Sequence, residues 1–344
     1  MFKKLYIILC FNCIVINQVK TQVQIKTTNC LSKSHKKGKY FEWECGKLAG
    51  VVDCNIKLEY DDRAKLYLSS TGGKPYTGTC ETCFENGIRE RKISFVNGKE
   101  VGTDTTKYLS GCPMVVRNHV DGYENGRWTY FYDSTNIIAW EMDFLLGQKH
   151  GKHIYYNRQG DTTLLENYKH DQLNGVKRIF YSNGKIHREI HYTKGQLDGQ
   201  FTVFNKEEKV VEKLNYSLGK KNGVLTYYYD DGTLLKTENW TEDIKNGPFI
   251  TYYYQGFIQI SENWKKGIRN GVFEEYFNNR RLKIKSIYKK GELIEEHEYN
   301  EKGKEIRTFP EIIKENTENE DDEIELEEKD KPKKKNKTKN KEDQ

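Results

Sequence analysis

Apolar, aromatic and turn-forming positions along this chain recur with one fixed period. Take glycine as position zero. It returns at Gly78, Gly102, Gly126, Gly151, Gly175, Gly199, Gly223, Gly247 and Gly271, in steps of 24 residues with a single step of 25 after Gly126. The residue five places on is aromatic in seven consecutive copies: Phe131, Tyr156, Phe180, Phe204, Tyr228, Tyr252 and Tyr276. A second aromatic ladder stands at +17: Phe95, Tyr168, Tyr192, Tyr216, Trp240, Trp264 and Tyr288, with Phe144 one place later in the long copy. His119 interrupts this ladder in the second copy. A short period held in phase this long marks a repeat array, in which each unit covers the apolar face of the next. The units are numbered copy 1, from Gly78, to copy 9, from Gly271.

Copy 7 shows what one unit predicts. Val224 to Tyr229 is β-branched and aromatic, which suits a half-buried strand. Asp231-Gly232 predicts a tight turn with positive φ angles, and Leu234 to Trp240 reads as the return strand. Side chains alternate along a strand, so +15 and +17 share a face, and the +17 ladder is expected to face the core with the +16 residues pointing away. A second turn closes each copy, with glycine at +20 in most copies and Asp171 or Asp243 in two. Glu208, Arg280 and Thr135 stand where other copies have the mid-hairpin glycine, which predicts longer or differently shaped turns there. Two strands and two turns in 24 residues leave no room for a helix. The predicted fold is all-β: about nine antiparallel hairpins stacked into an elongated twisted sheet.

The pattern Gly-x-x-x-x-Tyr-Tyr-x-x-Gly, closed by Tyr-x-x-Gly-x-x-x-Gly, resembles the bacterial variant of the MORN repeat. Tyr227-Tyr228 to Gly232 and Tyr252-Tyr253 to Gly256 carry it, and Gly73-Lys-Pro-Tyr76-Thr-Gly78 resembles the opening of such an array. The resemblance extends from Gly73 to Phe309. It implies a binding or scaffolding surface with protein or lipid partners, and the antitoxin-like (YwqK) label that bacterial chains of this kind carry.

The flanks differ in character. Residues 1–22 place Lys3 and Lys4 before an apolar run from Leu5 to Ile16, the layout of a secretory signal peptide and too short to span a bilayer. The expected address is therefore exported: periplasmic, associated with the outer membrane, or secreted. Residues 23–72 do not repeat and are expected to cap the first edge of the array. Residues 310–344 hold an acidic block, Glu311 to Asp330, followed by a lysine-rich one, Lys331 to Lys341. Such composition predicts a disordered tail. The formal net charge of +6 is spread without a concentrated basic face, so no nucleic-acid partner is expected.

Cysteine narrows the chemistry. Six remain beyond the signal segment: Cys30, Cys45, Cys54, Cys80, Cys83 and Cys112. An even number in an exported chain predicts disulfides, with the connectivity open. Cys80 and Cys83, at +2 and +5 of one strand, face opposite ways and need not pair with each other. A thiol-redox role for Cys80-Glu-Thr-Cys83 fits poorly inside a strand, because redox pairs of this spacing open a helix. Zinc held by Cys45, Cys54, Cys80 and Cys83 is the alternative.

No nucleophile, metalloprotease or phosphate-loop motif occurs, so no enzyme activity and no cofactor are expected. His150 and His153, and His187 and His191, read as ordinary strand and turn residues. Glu166, Glu238 and Glu262 recur at +15, which points to a structural part in each repeat, such as accepting a bond from a ladder tyrosine. Tyr227, Tyr229, Phe249, Tyr254 and Phe273 lie off the ladders and are the candidates for an exposed partner-binding stripe. The expected role is protein binding. Attachment to an anionic lipid surface is the second reading, and a thiol or zinc site near the N-terminus the third.

Overall fold

The computed structural model describes residues 51–85 and 88–310. The signal-like segment 1–22, the first part of the cap with Cys30 and Cys45, and the charged tail from Glu311 onward lie outside the described residues.

The protein is one long, twisted, mostly antiparallel sheet of 25 strands. At its start β1 (Val51–Asp53) leads into a single-turn helix α1 (Cys54–Lys57), then β2 (Leu58–Asp61) and β3 (Leu66–Ser69), which pair with each other. β1 runs parallel along the outer edge of β4 (Gly78–Cys83), and β4 pairs with β5 (Arg89–Val96). From there the chain runs back and forth, each hairpin arm pairing with the next up to Glu305–Phe309; in four places an arm is broken before the repeating glycine and both pieces pair with the preceding strand.

Two turn types alternate. The turn that closes each copy has two residues, both with positive φ: Asn97 and Gly98, Lys194 and Gly195, Glu242 and Asp243. That geometry matches the right-handed twist of the flanking strands. Where Asp171 or Asp243 replaces glycine, its carboxylate accepts the amide of Lys149 or Lys221 at 2.8 Å. The mid-hairpin turn is wider. In copy 7 it runs from Tyr229 to Thr233, and Gly232 alone has positive φ, not the Asp231-Gly232 pair. Glu208 and Arg280 hold the same turn as their glycine counterparts, at φ 68 and 66. The expected change of shape is absent there. In the long copy Ser134, not Thr135, takes the left-handed conformation, and the extra residue sits in the turn between Phe131 and Ile138.

The repeating glycine has positive φ in all nine copies, from 75 to 152. At Gly247 an added Cβ would meet Asn239 Cβ at 3.0 Å, and at Gly199 it would meet His191 Cβ at 3.1 Å. Conformation and close approach together explain why no other residue stands there.

The core is one side chain thick. The +2 and +15 residues of a copy are register partners, as in Phe201 with Leu214, Leu225 with Glu238, Phe249 with Glu262 and Phe273 with Ser286. Leu214, Leu225, Phe249 and Ile190 are buried. The +17 rings are only half-buried, apart from Phe95. The +17 ladder faces the core side as expected, but its rings are walls, and the +2 side chains are the filling. Phe249 and Phe273 each sit between consecutive +17 rings. Phe249 lies 5.5 Å from Trp240 and 6.1 Å from Trp264, centroid to centroid. Phe273 lies 5.9 Å from Trp264 and 4.8 Å from Tyr288.

The +16 residues bind copies together. Asn118, Asn167, Asn239 and Asn263 each donate a side-chain N–H to the +1 carbonyl of the following copy, at 2.5 to 2.8 Å. Tyrosine at +6 does the same at the other end. Tyr108, Tyr132, Tyr181 and Tyr253 donate to the +5 carbonyl of the next copy at 2.7 to 2.8 Å. A tenth hairpin, Glu292–Tyr299 with Glu305–Phe309, comes after copy 9. Its Glu296–Phe309 register repeats the +2/+15 pairing, but Ile294 stands where glycine would.

Candidate functional site

On the core side of copies 7 to 9, the half-buried rings carry a row of cations. These come from position −2 and reach across to the neighbouring strands. Lys221 Nζ lies 4.8 Å above the Trp240 ring, and Lys245 Nζ lies 4.2 Å above Trp264 and 5.0 Å above Phe249. The Arg269 guanidinium stands 5.2 Å from Tyr288, 5.3 Å from Phe273 and 5.7 Å from Trp264. Lys149 repeats the contact over Tyr168 at 5.2 Å in copy 4. Such contacts favour a cation at a ring face. Among the described residues, none of these four cations makes an ion pair. Inward cations elsewhere do: Arg117 with Asp104, Lys177 with Glu166, Lys236 with Glu238.

Beneath the row, the recurring glutamates have structural partners. Glu166 accepts the Tyr168 hydroxyl at 3.0 Å, the bond expected from sequence. Glu238 and Glu262 accept the indole N–H of Trp240 and Trp264 at 3.0 and 3.2 Å. Burial first, and then the bond to Glu166, pushes the Tyr168 hydroxyl up. The geometry thus turns the polar edge of Tyr168, Trp240 and Trp264 toward a carboxylate and a face toward a cation, while the Tyr288 hydroxyl accepts from Arg269 at 3.0 Å.

The five partner-binding candidates do not form one stripe. Phe249 is 2% exposed and Phe273 8%, so the expectation of a surface there is overturned. Both sit at +2, the filling position. Tyr227 is half-buried at +4 on the same side, and burial followed by Glu238 and Glu212 pushes its hydroxyl up to about 12. Tyr229 and Tyr254 lie together at the mid-hairpin edge, with ring centroids 5.2 Å apart. Tyr229 leans its hydroxyl toward the Tyr252 carbonyl at 3.5 Å. Tyr254, 57% exposed, donates to Asp231 at 2.5 Å, and that bond holds Asp231 down at about 2.

The first copies are chemically different. Cys54 and Cys80 form a disulfide, S–S 2.00 Å, across the join between the cap and the array. Cys83 and Cys112 are also disulfide-bonded. Three of the four sulfurs proposed for zinc are thereby consumed, and Cys45 lies outside the described residues. The zinc and free-thiol alternatives are withdrawn on that ground. Cys54 and Cys80 pack with Ile93, Phe95, Val52, Leu58, Tyr67 and Tyr76.

In copy 2 a buried carboxylate replaces the ring. Asp104, at +2, accepts from Arg91 Nε at 2.6 Å and from Arg117 Nε at 2.9 Å. His119 stands at +17 beside Glu100, with Nε2 to carboxylate 3.2 Å. His153, fully buried at +2 of copy 4, lies between Phe144 and Tyr168. Burial lowers the pKa of both histidines. His150 faces His170 rather than His153, at 5.2 Å between ring centroids. His187 stacks on Tyr181, and His191 lies near Glu189.

Sequence reading missed the cation row. Its signal was present in the −2 column, which runs Glu100, Glu124, Lys149, Leu173, Leu197, Lys221, Lys245, Arg269. The column is acidic at one end and basic at the other, so no single residue type repeats.

Comparison with known proteins adds little to this geometry. No protein-family model matches the chain, and no curated protein matches it. Among solved structures, a Photorhabdus luminescens Tc holotoxin pore is 13% identical, with 72% of this chain and 15% of that chain covered, at a TM-score of 0.17. A TcdB2–TccC3 structure is 10% identical, with 68% and 16% covered and a TM-score of 0.13. The chain spans less than a fifth of either, and likenesses this distant carry no argument about what it does.

Proposed function

We propose that this is an exported, non-enzymatic, MORN-like repeat protein whose array presents an elongated surface to a macromolecular partner, as a protein-binding or scaffold module. The immunity-like role attached to similar bacterial chains belongs to this reading through the sequence resemblance alone. The observation that carries it is the periodic row of half-buried rings topped by unpaired cations. Rows built from a repeat suit a long partner better than a small substrate. The recurring carboxylates Glu166, Glu238 and Glu262 are occupied in holding rings, which leaves them no catalytic task. The disulfides fit an oxidising compartment.

The same cations support a second reading, attachment to anionic lipid headgroups. Affinity capture with the whole mature chain, from envelope and secreted fractions of its source, separates the two. A stoichiometric protein that stays bound in moderate salt supports the scaffold. Capture of lipid alone, with vesicle binding that salt abolishes, supports the membrane surface instead.

A further inference from the structure

The described chain ends beside the cation row. Phe309 occupies the +15 column of the tenth hairpin, on the same side as the rings. From its strand to the strand of Arg269 is three strand spacings, roughly 14 Å, and to that of Lys221 seven, roughly 33 Å. The next stretch of sequence is strongly acidic: from Glu311 to Asp330 there are eleven carboxylate side chains and two lysines, Lys314 and Lys329. Twenty residues reach at most about 70 Å when extended, twice the distance to Lys221. In an extended conformation Glu323, Glu325 and Glu327 share one side, and Ile324 and Leu326 share the other.

The cations are available to such a segment. Lys221, Lys245 and Arg269 make no ion pair among the described residues; Lys221 and Lys245 are half-buried, and Arg269 is exposed and donates to the Tyr288 hydroxyl at 3.0 Å. Those rings already have a cation over them, two in the case of Trp264, so a stacked sugar or base would have to displace it. A carboxylate would not.

We propose that the acidic segment 311–330 of this same chain docks along the row Lys221, Lys245, Arg269 and covers it. Tethering supplies an effective concentration in the millimolar range, so weak individual contacts suffice. A partner of the array then competes with the chain's own tail, and the row is exposed only when the tail is displaced. This deepens the binding reading, but its test concerns tail and row alone, so finding no external partner would leave it standing.

The test is zero-length carbodiimide coupling of the full-length chain, with cross-links in the monomer mapped by mass spectrometry. Lys265 and Lys289 are the controls: they are exposed and stand nearer the tail's point of exit than Lys221 does. Mere tethering favours the controls. Docking favours Lys221 and Lys245, whose links to carboxylates of 311–330 should exceed those of the controls at least fivefold, as a rough expectation for a held rather than a wandering tether. R269Q should lower the Lys245 links while leaving those of Lys265 unchanged, with melting confirming that the array stays folded. Raised salt should level the yields. Links that favour Lys265 and Lys289, equal yields at low salt, links found only between molecules, or Lys245 links indifferent to R269Q would each overturn the proposal.

Discussion

Copies 1 to 4 and copies 7 to 9 share one backbone and fill it with opposite chemistry. In the late copies the +2 positions hold Leu225, Phe249 and Phe273, between Trp and Tyr walls. In the early copies the same positions hold Cys80, Asp104, Trp128 and His153, and the interior is closed by a disulfide, a carboxylate between two guanidinium groups and a buried neutral histidine. The two-residue closing turns and the Asn and Tyr bonds between copies occur in both. The repeat is therefore specified by backbone devices (the positive-φ glycine, the two-residue turn and the Asn and Tyr bonds between copies), while the filling is free to vary. The difference also divides vulnerability. Ring stacks are lost by truncation, and buried charges are lost by removing one partner or by changing protonation.

The comparison can be broken most forcefully at Phe249. Phe249→Ala removes the ring between two tryptophans and should cost about 3–4 kcal/mol. Because contacts are between nearest neighbours, hydrogen exchange should accelerate in copies 7 to 9 and leave copies 1 to 4 protected. Loss of protection throughout would mean that the two regions are one cooperative unit. Asp104→Asn is the counterpart. It removes the charge between Arg91 and Arg117, leaving Arg91 with Glu100 alone, and should cost about 3 kcal/mol, read by exchange in copies 1 to 3.

Acid comes next in size and needs no substitution. Burial lowers the pKa of His119 and His153 below the usual 6.5. A lowered folded-state pKa means that the unfolded chain binds protons first as pH falls, so this stability is present at neutral pH and lost below the unfolded value. His297, at the far end, is raised by Glu295 and Glu305 and behaves oppositely: its contribution is present in acid and lost as pH rises. Exchange measured from about pH 7 to about pH 5.5 should loosen copies 2 and 4 first. Uniform loosening would count against a divided interior.

Much of this was legible in the sequence. Two aromatic ladders gave the period, the hairpins and the copy boundaries, because most copies place those residue types at those walls and turns. The filling was hidden. Its column mixes Cys, Asp, Trp, His, Lys, Phe and Leu, and a column without a common residue type shows no ladder. For the same reason Phe249 and Phe273 looked like surface. Turn shape also misled at Glu208, since the turn's backbone bonds impose the left-handed conformation whichever residue is present.

Smaller effects sharpen the account of those shared devices. Tyr253→Phe deletes one bond between copies 8 and 9 and should cost about 1 kcal/mol by denaturant titration. An unchanged midpoint would mean that the hydroxyl does no more than it would in water. Glu208→Gly relieves a left-handed glutamate whose contact with Lys185 is exposed, and should stabilise by about 0.5 kcal/mol. A lowered midpoint would show that the turn carries no strain.

The bonds that join copies have a consequence for how such a chain can change length over generations. Tyr108, Tyr132, Tyr181 and Tyr253 at +6 and Asn118, Asn167, Asn239 and Asn263 at +16 address carbonyls in the following copy, at a fixed offset along the chain. Adding or deleting a few residues within a strand would misaddress every such bond at that junction, whereas gaining or losing one whole repeat leaves all the others correctly addressed. The array can thus be inherited in quanta of 24 residues, and the one extra residue it tolerates lies outside the strands, in the turn between Phe131 and Ile138.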